Sequence, residues 1–174
     1  MNKKKLKIIS TIIAFLLCFP LHFLYDKFPN FITSIFSPVN ESIWEHMKIL
    51  FTSILFTGVL QKIYVTTKHL NYNNICLSNF IAALLSIPIF LSIFLPIYNV
   101  IGENMIITII IMLITIIIAE YISYIIMNKQ EHKLEKDTVI FAIITYIIFT
   151  LLTYYPPNIN IFTDPKTNAI GIYK

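Results

Sequence analysis

The chain has 174 residues, 57% of them hydrophobic and only 13% charged, with a net charge of +4 whose basic side is lysine alone. Ordinary soluble domains are about 25% charged, and a soluble protein of this length could not cover so much apolar surface, so composition excludes a free globular domain and points to an integral membrane protein. Lysine offers point charges and no bidentate fork, so the positive balance is read as topology information and no nucleic-acid partner is expected; the partner is the lipid bilayer.

A span needs about 20 mostly apolar residues. Five stretches qualify, at residues 6–25, 43–64, 75–97, 105–127 and 138–155. The expected fold is all-α: a polytopic transmembrane helical bundle of about five spans, forming one domain over residues 1–174 with a polar tail at 156–174. The leading MNKKKLK and the apolar run behind it resemble a secretory signal. No small-residue cleavage site follows, and Pro20 and His22 come instead, so an uncleaved first span is expected. That span closes with LHFLYD, which places His22 and Asp26 one turn apart on its end.

The connection 26–42 contains the semi-apolar FITSIF and leads into SPVNESIWEHMKILF. Ser37 followed by Pro38 reads as a helix start, with Ser as N-cap and Pro in the first turn. At 100° per residue, Glu41, Trp44, Glu45 and Lys48 then fall within an arc of about 100°, with Asn40 at its edge, while His46 points about 100° away from Glu45. Lys48 also lies one turn from Glu45 and can pair with it.

The third span opens near Cys76 and contains Pro88; Cys76 and Cys18 read as free thiols. Between the third and fourth spans, NVIGENM adds Glu103 and Asn104. The fourth span is rich in isoleucine and holds Glu120, whose insertion costs about 2.5–3.5 kcal/mol near mid-membrane. Protonation, a bond to a neighbouring helix or access to the nearby interface would each accommodate it. His69 and His132 fall in loops and read as solvated. After the fifth span, Pro156 and Pro157 stop the helix and Asp164 before Pro165 favours a turn. Ile161 and Phe162 are expected to tuck the tail back over the end of the bundle.

Lysine placement sets orientation. With the N-terminus inside, nine lysines (3, 4, 5, 7, 62, 68, 129, 133, 136) are cytoplasmic and four (27, 48, 166, 174) are outside. A cytoplasmic N-terminus in the cell membrane is therefore expected, and the polar span ends gather at the extracytoplasmic face.

This concentration of carboxylates and imidazoles carries the functional reading. Carboxylates near lipid are costly and usually face a bundle interior or a water-filled cavity. Glu41, Glu45 and His46 are the candidate catalytic residues, in a pocket with His22, Asp26, Asn40, Trp44, Lys48 and Asp164. His22, Asp26, Glu41 and Glu45 could hold a divalent metal, since imidazole and carboxylate suit zinc, manganese or iron. The spacing lacks both Glu-x-x-His and His-Glu-x-x-His. A solvated boundary cluster anchored by Trp44 explains the same residues.

SPVNESIWEHMKILF, preceded by LHFLYD and closed by a tail with PPNINIFTDP and GI, resembles a group of small bacterial multi-pass membrane proteins known only as a domain of unknown function. The likeness covers nearly the whole chain and implies a polytopic membrane protein of this size, without an activity to carry over. Three functions stay open at this level: a membrane-embedded enzyme, metal-dependent or acid/base; a small-molecule or ion carrier; and a non-catalytic subunit of a membrane complex. A homo-oligomer or a membrane-protein partner fits the last two.

Overall fold

The structure is a computed structural model that describes residues 1–102 and 104–172; Glu103, Tyr173 and Lys174 lie outside the described residues. It is a transmembrane helical bundle. Among the described residues six α-helices follow one another: α1 (Lys3–Lys27), α2 (Phe31–Phe36), α3 (Ile43–Thr67), α4 (Ile75–Ile101), α5 (Met105–Met127) and α6 (Thr138–Tyr154). Helices α1, α3, α4 and α5 are each long and apolar enough to cross a membrane, and α6 is a shorter apolar helix of 17 residues. At 1.5 Å per residue α6 is about 25 Å long, at the lower limit for a span.

Polar caps mark the ends. The side chain of Asn2 accepts from Lys5 N–H, that of Asn104 from Ile107 N–H, and Asn30 and Thr33 make a reciprocal box at the start of α2. Gly102 closes α4 at φ +78°, a backbone that only glycine adopts without strain. The second span therefore starts later than the Ser37–Pro38 signal predicts. Ser42 is the N-cap of α3, accepting from Glu45 N–H at 3.4 Å. Ser37 instead ends α2, gives its hydroxyl to the Leu21 carbonyl at 2.5 Å and accepts from Tyr25 N–H. The FITSIF segment takes its own helical turn and uses up the start signal behind it. Asn40 and Glu41 consequently precede α3, and the expected Glu41–Glu45 stripe does not form.

Helices α1, α3, α4 and α5 close a ring in which α1 and α4 each touch both α3 and α5; α6 lies outside it against α4 and α2. In lipid, apolar burial between helices gains little over lipid contact, so close packing and polar bonds hold the ring together. Gly58 shows the closeness: a Cβ added there would stand 2.6 Å from Asn79 Cβ. Beside it Gln61 donates to Asn79 at 3.2 Å. Helix α6 joins through aromatic contacts, with Phe149 and Tyr146 at 5.1 and 5.3 Å from Phe51. Its remaining face, including Ile140, Ile143, Ile147 and Leu151, is left exposed to lipid.

Two lysines counted above as topology signals are buried. Lys7 pairs with Glu120 at 3.0 Å, and Lys48 pairs with Glu45 at 2.6 Å. Removing both from the count leaves eight lysines against three at the two faces, the same bias. The faces are called here the amino-terminal face, where α1 starts, and the tail face, where α1 and α6 end.

Candidate functional site

Three side chains converge at the tail face. His22 comes from the last two turns of α1, Glu41 from the loop before α3, and His46 from the first turn of α3. One atom from each lies within 4.8 Å of the others. Glu41 Oε2 is 3.7 Å from His46 Nε2 and 3.9 Å from His22 Nε2, and the two imidazole rings sit 5.3 Å apart at 61°. All three are half-buried. His46 Nδ1 is 3.0 Å from the Ser42 carbonyl, which can only accept, so that contact calls for a proton on Nδ1 and leaves Nε2 turned toward Glu41. His22 Nδ1 is buried without a hydrogen-bond partner.

Donor atoms around tetrahedral zinc stand about 3.3 Å apart, given metal–ligand distances near 2.0–2.1 Å. The separations of 3.7 and 3.9 Å, and the 4.8 Å bound on all three, are wider than that, so side-chain closure would bring two nitrogens and one oxygen into a first coordination sphere. The Ser42 carbonyl supplies the outer hydrogen bond that fixes a ligating histidine. The residues present fit a divalent metal with one or more positions left open.

The structure divides the remaining expected site residues. Glu45 lies away from the three. Its Oε2 pairs with Lys48 and accepts from Val39 N–H at 3.1 Å, and its Oε1 accepts from Thr153 at 2.8 Å. Lys48 gives its other protons to the Ser34 carbonyl at 2.7 Å and to Thr153 at 3.1 Å. Both side chains are sealed between α2, α3 and α6, and their bonds knit those helices together. Asp26 is exposed, one turn beyond His22, and does not join the three donors. The 100° separation of Glu45 from His46 along the helix is thus what sends one inward to Lys48 and the other to His22.

The tail folds over this end of the bundle. Phe162 is buried and lies 4.8 Å from the ring of Trp44, which also meets Phe149 at 5.3 Å. Asn40 donates to the Gly171 carbonyl at 2.9 Å, and Glu41 N–H donates to Asp164 at 3.3 Å. Asp164 also accepts from the backbone of Lys166 and Thr167, at 2.7 and 3.2 Å, and so builds the turn that presents Lys166. The Lys166 ammonium reaches Glu41 Oε2 at 3.5 Å and is itself largely exposed. Asp164 and Asn40 therefore position the tail and the Glu41 loop, while Lys166, which the sequence marks only as a topology charge, stands at the mouth of the cluster. The turn signal at Asp164–Pro165 is the only hint the sequence holds of it.

The model of a family of unknown function (DUF6512) matches residues 1–172, and the chain belongs to that family. No curated protein and no solved structure matches it.

Proposed function

We propose, for this member of a family without a known activity, that it is a membrane-embedded enzyme. It would bind a divalent metal through His22, Glu41 and His46 at the extracytoplasmic face of the cell membrane. The convergence of those three donor atoms within 4.8 Å, with His46 Nδ1 against the Ser42 carbonyl, is the observation that supports it. Two imidazoles and one carboxylate with an open position make the donor set of hydrolytic zinc sites. A metal bound there would act as a Lewis acid and lower the pKa of a bound water. The chain's own residues would do the rest. Ser42 orients His46, Asp164 anchors the Glu41 loop, and Lys166 offers positive charge at the open side, suited to an anionic group on a substrate.

Elemental analysis of detergent-purified protein after exhaustive dialysis tests this reading. One equivalent of zinc, manganese or iron is expected in the wild type and in Glu45→Gln, and none in Glu41→Gln or His46→Ala. A metal-free wild type that stays metal-free after incubation with each ion would refute the metal site and leave an acid/base pocket. Metal lost equally from a Glu45→Gln variant that unfolds at the wild-type temperature would mean that the donor set was drawn wrongly.

A further inference from the structure

We propose that the groove between α1 and α5 near the amino-terminal face binds a glycerolipid that carries a free glycerol hydroxyl. At its floor Glu120 is 1% exposed; its Oε2 has the Lys7 ammonium 3.0 Å away as counter-ion, and its Oε1 is buried without a hydrogen-bond partner. Lys7 gives its other protons to Asn79 at 2.8 Å and Ser123 at 2.6 Å. A buried carboxyl oxygen left without a partner calls for an account.

The groove supplies one. It encloses about 350 Å³ and is lined by Lys4, Ile8, Ile117, Tyr121 and Tyr124 above the Lys7–Glu120 floor. Ile8, Ile117 and Tyr121 are exposed on helices that face lipid. A ligand entering from the side therefore comes out of the bilayer. It needs a hydrogen-bond donor for Glu120 and an apolar chain to lie along Ile8 and Ile117. A net cation is not required, because Lys7 already balances the charge. A hydroxyl meets these demands. In a glycerolipid the glycerol hydroxyl sits between the acyl chain and the head, deeper than the phosphate. Lys4 is exposed and lies three residues nearer the membrane surface than Lys7, where it would meet a phosphate if the lipid has one. Lysophospholipids and acylglycerols share the hydroxyl and differ in the phosphate.

Native mass spectrometry in maltoside micelles tests the proposal with three probes. They are lysophosphatidylcholine, its analogue with the glycerol hydroxyl capped as a methyl ether, and monoacylglycerol. The free hydroxyl is expected to bind about tenfold more tightly than the capped analogue, the worth of one hydrogen bond to a charged acceptor. The difference should vanish in the double variant Lys7→Met/Glu120→Met, which replaces a buried ion pair by apolar groups of similar size. A Lys4→Gln variant that weakens only lysophosphatidylcholine identifies a phosphate-bearing lipid. A Lys4→Gln variant that weakens neither probe, with monoacylglycerol bound as tightly as lysophosphatidylcholine, identifies an acylglycerol. Equal affinity of wild type for the free and capped probes overturns the proposal, and that comparison needs no variant to fold. A difference that persists in the double variant overturns it too.

Discussion

Two buried lysine–glutamate pairs lie at opposite ends of this bundle, and they are satisfied to very different degrees. At the tail face Glu45 accepts from Lys48, Val39 and Thr153, and Lys48 reaches Ser34 and Thr153 as well. At the amino-terminal face Lys7 is bonded to Asn79 and Ser123, while Glu120 has Lys7 beside its Oε2 and its Oε1 is left without a partner. Desolvating two charges is repaid only when their remaining lone pairs and protons also find partners. The first pair meets that condition and behaves as a structural clasp. The second leaves its acid half open, toward a groove. Equal residue types and equal burial thus give one fixed joint and one receptive site.

The sharpest way to break this comparison is to cut the clasp. Lys48→Met leaves Glu45 charged and buried, and should cost about 3–5 kcal/mol, read as detergent-solubilised thermal or SDS-induced unfolding. Lys48→Met combined with Glu45→Met should recover at least half of that loss. If the single variant unfolds like wild type, the tail-face pair is no clasp. Glu120→Gln should cost less, about 1.5–3 kcal/mol, because Lys7 keeps its bonds to Asn79 and Ser123 and the lost acceptor was under-used. Losses of equal size at Lys48 and Glu120 would erase the contrast between the two ends. Gly58→Ala disturbs the inner pair without touching a charge. The new methyl must displace Asn79, an acceptor of Lys7, and overpacking of this kind costs about 1–3 kcal/mol. The same variant should leave a metal at His22, Glu41 and His46 unaffected, which elemental analysis checks.

The two ends also differ in how far the sequence announces them. Span lengths and the lipid class follow from apolar runs, since a bilayer permits little besides helices. The divergence of Glu45 from His46 follows from 100° per residue, and the Lys48–Glu45 pair from i,i+3 spacing. The short α2 does not announce itself. FITSIF is too brief for periodicity, and its turn moves the cap of α3 from Ser37 to Ser42. That shift takes Glu41 off the helix and frees it to meet both histidines. The Lys7–Glu120 pair is illegible for another reason. Its partners are far apart in the chain, and Lys7 sits among lysines whose usual role is to mark a membrane face. Only packing of α1 against α5 separates it from Lys3, Lys4 and Lys5.

A third pair grades the comparison at its weak end. Lys166 and Glu41 are 3.5 Å apart, with Lys166 more than half exposed. A contact of this kind is worth little, because water screens the charges and holding a long side chain costs entropy. Lys166→Gln should therefore change stability by no more than about 0.5 kcal/mol. Its effect on ligands should be the larger one. The ammonium occupies the open side of Glu41 and opposes any second cation there. In a water-like environment a unit charge and a divalent cation about 4 Å apart repel by about 2 kcal/mol, so its removal should tighten zinc binding by up to about thirtyfold. Competition titration of purified wild type and Lys166→Gln against a zinc chelator measures this. The opposite result, weaker zinc with an unchanged fold, would show that Lys166 holds Glu41 in place for the metal. The tail turn built by Asp164 would then be part of the site's scaffold and not a cover that competes with its ligand.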